Sequence, residues 1–198
     1  MKSALLGTLL SSLTLLVSAH PGGVDTDGCH NDKAAGKRHC HAERASGKAA
    51  SPSKAPTVKE TFTGQVVAVK DGDTVEVMKA GKAVRVRLAE IDAPESRQAF
   101  GTQSKKFLSE LVFGKTITVL VSDTDRYGRS VAHLKLADGR DVNQELLKAG
   151  WAWWYRQYSK DASLGTLQDA ARAARKGLWA DPAPVEPWLF RRKAGGRV

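Results

Sequence analysis

Short β-rich runs that alternate with turn sequences dominate residues 61–136 and limit the folds open to this chain. Five runs rich in β-branched residues are long enough for strands: 62–70, 74–78, 83–91, 115–122 and 130–136. Apolar residues at helical spacing, each group with a glycine just beyond it, predict three helices: 101–112, 142–149 and 164–176. This order predicts an α+β fold in which a five-stranded OB-type barrel carries about three helices.

Three charged clusters interrupt these strand-like runs and indicate a functional site. They lie at 71–74 (Asp-Gly-Asp-Thr), 87–95 (Arg-Leu-Ala-Glu-Ile-Asp-Ala-Pro-Glu) and 125–129 (Asp-Arg-Tyr-Gly-Arg). Stability alone does not explain so many charges beside apolar runs, because buried charge is costly unless it is paired. Carboxylates hold hard divalent cations and arginines bind phosphate, so the sequence indicates phosphate chemistry.

Taken together, these motifs resemble the staphylococcal nuclease (thermonuclease) family. The matching stretches follow the family's order: 71–74, 87–95, 125–129, 138–143 and 176–179. The resemblance covers about residues 61–180 and implies an OB barrel with three helices. It also implies Ca²⁺-dependent endonucleolytic cleavage of DNA and RNA without sequence specificity, leaving 3′-phosphates.

The resemblance implies a Ca²⁺ site formed by Asp73, Asp92 and the main-chain carbonyl of Ala93. The family often has threonine where this chain has Ala93, and alanine keeps the carbonyl while losing the hydroxyl. Metal binding is therefore expected to survive with fewer outer contacts. A turn-forming role for the two aspartates is the alternative that each motif, taken alone, leaves open.

The resemblance assigns catalysis to Arg87, Glu95 and Arg129. Glu95 matches the carboxylate that activates or positions water, and the two arginines match the pair that binds the phosphate. The alternation of the third strand puts Arg85 on the same face as Arg87, so the residues alone do not separate them. A catalytically silent OB-type nucleic-acid-binding module is the alternative function, although all the carboxylates and arginines are present.

Aromatic residues follow the second predicted helix, in the run 151–155 and at Tyr158. They fit packing of the C-terminal helices on the barrel. Tyr155 and Tyr158 are also candidates for stacking on a substrate base, although their spacing does not match the family cleanly.

The N-terminal third of the chain divides into three segments. Residues 1–19, with an apolar run and small residues before the cleavage point, predict a secretory signal peptide. Residues 20–41 are rich in His and Cys, and 42–59 have the composition of a flexible linker. The protein is therefore expected to be exported, periplasmic or extracellular, with no membrane association after signal cleavage.

The His/Cys segment allows two interpretations. Two cysteines in an exported chain favour a disulfide between Cys29 and Cys40. The same cysteines and the neighbouring histidines are also zinc ligands by type, so a second metal here is possible. A function residing in this segment, with the barrel as carrier, is a further alternative.

The charge of the chain indicates its partner. The formal net charge of +10 favours association with polyanions, and nucleic acid is the expected substrate. The nuclease domain is predicted over 60–180, followed by a Pro/Arg-rich tail over 181–198 in extended conformation. The basic residues 191–193 of this tail either extend the substrate footprint or keep the chain end solvated. We expect a monomer.

Overall fold

The structure is a computed structural model that describes residues 29–32, 37–40 and 57–195. These residues belong to two compact units, with the division at residues 49 and 50. The first unit contains an antiparallel hairpin of β1 (Cys29–Asp32) and β2 (Lys37–Cys40). The second unit contains all the other elements described below.

A closed five-stranded barrel forms the body of the second unit. Its strands, in spatial order, are β3 (Glu60–Asp71), β4 (Thr74–Lys79), β5 (Lys82–Leu88), β8 (Ser130–Lys135) and β7 (Thr116–Thr124). Neighbouring strands are antiparallel except β5 and β8, which are parallel. Alternate residues of each strand point inward, and valines such as Val75, Val77 and Val86 are buried. The predicted five-stranded OB-type barrel is confirmed.

A turn ends β5 earlier than the sequence predicts and creates two additional short strands. The run 83–91 was expected to be continuous, but β5 ends at Leu88 and Glu90 adopts a φ of 64°. The left-handed conformation of Glu90 breaks the strand. The chain then re-enters extended structure as β6 (Ile91–Asp92), which pairs antiparallel with β9 (Trp153–Trp154) outside the barrel.

The described residues include four helices outside the barrel: α1 (Gly101–Val112), α2 (Val142–Ala149), α3 (Ala162–Ala173) and α4 (Pro187–Gly195). The first three confirm the sequence prediction. The prediction of an extended tail after residue 180 is wrong for Pro187–Gly195, which form α4. Proline is favoured in the first turn of a helix, where its missing N–H costs nothing, so Pro187 begins α4 instead of preventing it. A short 3-10 turn (Gly177–Ala180) lies between α3 and α4.

The core joins the barrel interior to the inner faces of the helices. Leu108 and Val112 of α1 and Leu146 of α2 are fully buried against the barrel valines. A second cluster packs Trp153 and Trp179 together, with Trp188 of α4 against them. In the described part of the chain, no helix has the length and apolar character needed to cross a membrane.

Candidate active site

The tight turn between β3 and β4 positions Asp73. A Cβ atom on Gly72 would lie 2.3 Å from Ser104 Oγ and 2.7 Å from Ala93 Cβ, so only glycine fits there. This close approach places the turn against α1 and against the segment that follows β6. The backbone N–H of Ala93 donates to Asp73 Oδ2 at 2.9 Å, which joins the first two charged clusters.

Arg87 bridges the two predicted metal ligands. Its Nη1 lies 2.8 Å from Asp73 Oδ2 and its Nη2 lies 2.7 Å from Asp92 Oδ1. Nη1 also donates to the carbonyl oxygens of Leu88 and Ile91, at 3.3 and 3.2 Å. The guanidinium therefore holds the turn after β5 and both carboxylates in one place. Arg85, on the same face of β5, pairs instead with the exposed side of β4 through Glu76.

Arg191 of α4 connects Asp92 to Glu95. Its Nη2 lies 2.7 Å from Asp92 Oδ2, and its Nη1 donates to Asp92 Oδ1 at 3.2 Å and to Glu95 Oε1 at 2.6 Å. Asp92 is fully buried, whereas the side chain of Arg191 is 41% exposed. Sequence reasoning placed Arg191 only in a basic tail and not beside these carboxylates, because its partners lie 96 and 99 residues away in the chain.

The site concentrates negative charge. Burial raises the pKa of Asp92, and the charge of Asp73 adds to the rise, while Arg191 and Arg87 oppose it. Burial likewise raises the pKa of Asp71, a hydrogen bond from Gly72 opposes it, and the charges of Asp73 and Glu95 add to the rise. The carboxylates are therefore close enough to repel one another unless cations lie between them.

The donor groups fit a hard divalent cation. Asp73 and Asp92 both contact one guanidinium, so their carboxylates lie close together, and Ala93 is bonded to Asp73 beside them. Carboxylate and carbonyl oxygens are the ligands that Ca²⁺ prefers. As the side chains stand in residues 57–193, no group of three or more His, Cys, Asp or Glu forms a metal cluster. Instead, Oδ2 of Asp73 and both carboxylate oxygens of Asp92 contact guanidinium groups.

Among the described residues, Arg129 pairs with Asp125 and not with the carboxylates of this cluster. Its Nε lies 2.6 Å from Asp125 Oδ2, and Asp125 Oδ1 accepts from the backbone N–H groups of Tyr127 and Arg129. Arg87 is opposite Val131 in the parallel β5–β8 pair, so Arg129 lies two residues before that position. Arg129 directly precedes β8, so it lies in the turn at the end of β8 that pairs with β5.

The aromatic segment borders the site through its pairing with β6. Trp153 is opposite Asp92, and the backbone N–H of Tyr155 donates to the carbonyl oxygen of Glu90 at 2.9 Å. The ring of Tyr155 stacks on Trp188 with centroids 5.2 Å apart and meets Tyr158 edge-on at 4.8 Å. Tyr158 is exposed. One face of Tyr155 is thus already covered by α4.

A partly buried charge cluster at the turn before Asp92 was also missed by sequence reasoning. His133 Nδ1 lies 3.0 Å from Asp141 Oδ2, and its Nε2 lies 3.0 Å from Glu90 Oε2. Burial opposes the charged imidazolium, but the hydrogen bonds to Asp141 and Glu90 outweigh it and raise the pKa of His133 to about 9. The cluster fastens the turn at Glu90, which leads into Asp92.

In the hairpin, the strand register brings the two cysteines opposite each other. Cys29 is opposite Cys40, and His30 is opposite His39. His20, His41, the predicted signal peptide 1–19 and residues 42–56 of the predicted linker 42–59 lie outside the described residues.

The chain is similar to known nucleases. A family model described as staphylococcal nuclease homologue matches residues 85–181. The chain is 47% identical over 138 residues to an Escherichia coli protein named "Uncharacterized endonuclease", with 70% of this chain and 90% of that protein covered. It is 42% identical over 141 residues to a Shigella flexneri protein named "Micrococcal nuclease", covering 66% and 81%. A staphylococcal-like nuclease of Arabidopsis thaliana is 42% identical over 116 residues, covering 58% and 36%.

Proposed function

Because the chain belongs to the staphylococcal nuclease family, and is on that ground a nuclease, we propose that it is an exported, Ca²⁺-dependent endonuclease. It hydrolyses phosphodiester bonds of DNA and RNA without sequence specificity and leaves 3′-phosphates. The observation that carries this proposal is the convergence of Asp73 and Asp92 on Arg87, with Glu95 joined to Asp92 through Arg191.

Asp73, Asp92 and the carbonyl oxygen of Ala93 would hold Ca²⁺. When bound there, Ca²⁺ supplies Lewis-acid polarisation of a phosphate oxygen and offsets negative charge in the transition state. The aspartates serve by keeping oxygen donors close together in a nearly water-free position, since Asp92 is fully buried. Thr74 helps to orient Asp73, because its hydroxyl donates to Asp73 Oδ1 at 3.0 Å.

Arg87 and Arg129 bind the scissile phosphate. A guanidinium presents two parallel N–H groups that match two phosphate oxygens, and this charge is worth most where negative charge develops in the transition state. Arg87 is rooted in β5 and held by two main-chain carbonyls, so its position is set before substrate arrives. Arg129 exchanges part of its contact with Asp125 for the phosphate.

Glu95 activates the attacking water. Its carboxylate takes a proton from the water while the water oxygen forms a bond to phosphorus. The bond between phosphorus and the 5′-oxygen breaks, and that oxygen leaves with a proton from solvent. The phosphate then remains on the 3′-oxygen of the other fragment.

Tyr155 and Tyr158 contact the base next to the scissile phosphate. Support for this role comes from the pairing of β9 with β6, since it sets the aromatic segment beside Asp92. Stacking on an aromatic ring tolerates every base, which agrees with an enzyme that lacks sequence specificity. The net charge of +10 attracts the polyanionic substrate. We further propose that the nuclease acts as a monomer.

We also propose that the protein is exported and that the hairpin of β1 and β2 is an accessory segment. Residues 1–19 act as a signal peptide, and the protein functions in the periplasm or outside the cell. The opposition of Cys29 and Cys40 in the hairpin supports a disulfide, because directly opposed Cα atoms lie within the distance a disulfide requires. The opposed positions of His30 and His39 support binding of a second metal in this hairpin.

Digestion assays test the proposal. The purified protein is incubated with plasmid DNA and with RNA, in Ca²⁺ or in excess chelator. We expect both substrates to be degraded in Ca²⁺ only, and Glu95→Gln to lose most of this activity. Tight binding of nucleic acid without cleavage, whichever divalent ion is present, would instead identify a catalytically silent binding module. Unchanged cleavage after deletion of residues 20–59 would show that the hairpin segment is an accessory.

A further inference from the structure

Arg191 is the one side chain among the described residues that bridges Asp92 and Glu95, the carboxylates we assign to metal binding and to water activation. Its guanidinium group donates to both carboxylate oxygens of Asp92 and to one carboxylate oxygen of Glu95. Glu95 is one third exposed, so without such a partner its carboxylate would sample several rotamers in solvent. The pairing with Arg191 restricts that freedom.

The position of Arg191 is fixed by the packing of α4 and not by its ion pairs alone. Trp188, one helical turn before Arg191, stacks on Tyr155 with the planes 5° apart. Its ring also meets Trp153 edge-on at 5.9 Å. The aromatic contacts therefore anchor α4 on the strand that pairs with Asp92.

A second link ties the C-terminal segment to the backbone of Glu95. The side-chain Nε2 of Gln98 donates to the carbonyl oxygen of Val185 at 2.5 Å, just before α4 begins. The Oε1 of the same side chain accepts from the backbone N–H of Glu95 at 3.2 Å. The backbone and the side chain of Glu95 are thus both connected to the segment that carries Arg191.

The aspartates retain capacity for a further cation while Arg191 is in place. A carboxylate oxygen accepts about two hydrogen bonds. Among the described residues, Asp92 Oδ2 accepts from Arg191 alone, and Asp73 Oδ1 accepts from the Thr74 hydroxyl alone. Each predicted ligand therefore keeps one oxygen whose hydrogen-bonding capacity is not filled by the described residues.

We propose that Arg191 is a positioning residue of the nuclease, which holds the Glu95 carboxylate at a fixed place relative to Asp92. The proposal rests on the function assigned above to Glu95. Accurate placement of the base lowers the barrier of the chemical step, and a misplacement of about 1 Å can cost about 100-fold in rate. The contribution of Arg191 therefore falls on kcat more than on KM.

The test compares Arg191→Gln with Arg192→Gln, which removes the same charge from the next, exposed position of α4. We expect Arg191→Gln to lower kcat by about 10- to 100-fold with little change in KM, and Arg192→Gln to leave kcat unchanged. Arg191→Lys should recover only part of the loss, because one ammonium group cannot present the same fork to two carboxylates. A rise in KM at unchanged kcat would contradict the proposal.

A double-mutant cycle with Glu95→Gln separates positioning from a general structural effect. If Arg191 acts through Glu95, Arg191→Gln adds little to the loss already caused by Glu95→Gln. Additive losses would overturn the proposal. Full activity of Glu95→Gln would refute the function assigned to Glu95, whereas an inactive Glu95→Gln beside a fully active Arg191→Gln would refute the positioning role alone.

A second variant, Trp188→Ala, tests the same proposal without removing any charge. Loss of the aromatic anchor frees α4, so kcat should fall as in Arg191→Gln, and the two changes together should cost no more than one. Calorimetric titration with Ca²⁺ gives a readout independent of turnover. Tighter Ca²⁺ binding together with a higher kcat in Arg191→Gln would show that Arg191 blocks the cation site, and would overturn the proposal.

Discussion

Asn143 donates its side-chain amide to the carbonyl oxygen of Ala89 at 2.9 Å. The same nitrogen donates to the carbonyl oxygen of Ala132 at 3.2 Å, and the amide oxygen accepts from the N–H of Leu134 at 3.3 Å. The side chain is completely buried between α2, β8 and the turn after β5. Helix α2 thus holds the turn that leads into Asp92, although it contributes no residue to the site.

Replacement of Asn143 by alanine should destabilise the fold. The change removes three hydrogen bonds from buried main-chain groups. The carbonyl of Ala132 keeps a second bond, from the N–H of Ala89, and each group left unsatisfied costs about 1–3 kcal/mol. We expect urea unfolding to show a loss of about 2–4 kcal/mol. Gln144→Ala, on the next residue of α2, should change stability far less, and an equal loss in both variants would contradict this account.

The cluster around His133 should make stability depend on pH. The pKa of His133 in the folded protein is about 9, against 6.5 for the free side chain. Its stabilising contribution is therefore complete below about pH 6.5 and is lost as the pH rises through 9. The groups that face it are Glu90 and Asp141, and Asp141 is also paired with Lys135 at 3.2 Å.

Urea unfolding at pH 6, 7.5 and 9 measures this dependence. Between the two pKa values, the free energy of unfolding should fall by up to about 1.4 kcal/mol per pH unit from this group. His133→Gln should be less stable at pH 6, because the carboxylates of Glu90 and Asp141 lose their cation, and should show a flatter profile above pH 6.5. Identical slopes in both proteins would show that His133 is not charged in the fold.

Lysine should not replace Arg87. The guanidinium contacts Asp73 and Asp92 through different nitrogens, and an ammonium group cannot reproduce that fork. We expect Arg87→Lys to lower kcat/KM by at least about 100-fold. Arg85→Lys is the matched control on the same strand and face, and its kcat/KM should be close to that of the unchanged protein. Similar losses in both variants would indicate a general effect of charge on β5.

The hairpin cysteines should react with thiol reagents only after reduction. The register opposes Cys29 and Cys40, and oxidation is expected in an exported protein. Thiol titration of the denatured, unreduced protein should find no free thiol per chain. Because the hairpin belongs to a separate unit, Cys29→Ser/Cys40→Ser should leave the Tm of the nuclease unit unchanged. Two free thiols in freshly purified protein would favour the metal-binding interpretation.

Sequence patterns were sufficient for most of the fold because they report local preferences. The alternation of Val84, Val86 and Leu88 predicted β5, and glycines at positions such as Gly150 marked helix ends. The early end of β5 was not predictable in this way. The turn at Glu90 is held by two residues that are distant in the chain. His133 of β8 contacts the Glu90 carboxylate, and the backbone N–H of Tyr155 donates to the Glu90 carbonyl oxygen.

The sequence by itself determined the barrel, three of the helices and the set of carboxylates and arginines that phosphate chemistry requires. Only the tertiary structure decided which arginine of β5 faces the aspartates, and that Arg191 reaches Glu95 from a helix where an extended tail was expected. The physical reason is that side-chain alternation is local, whereas ion pairs between residues almost 100 positions apart depend on how the barrel and α4 pack.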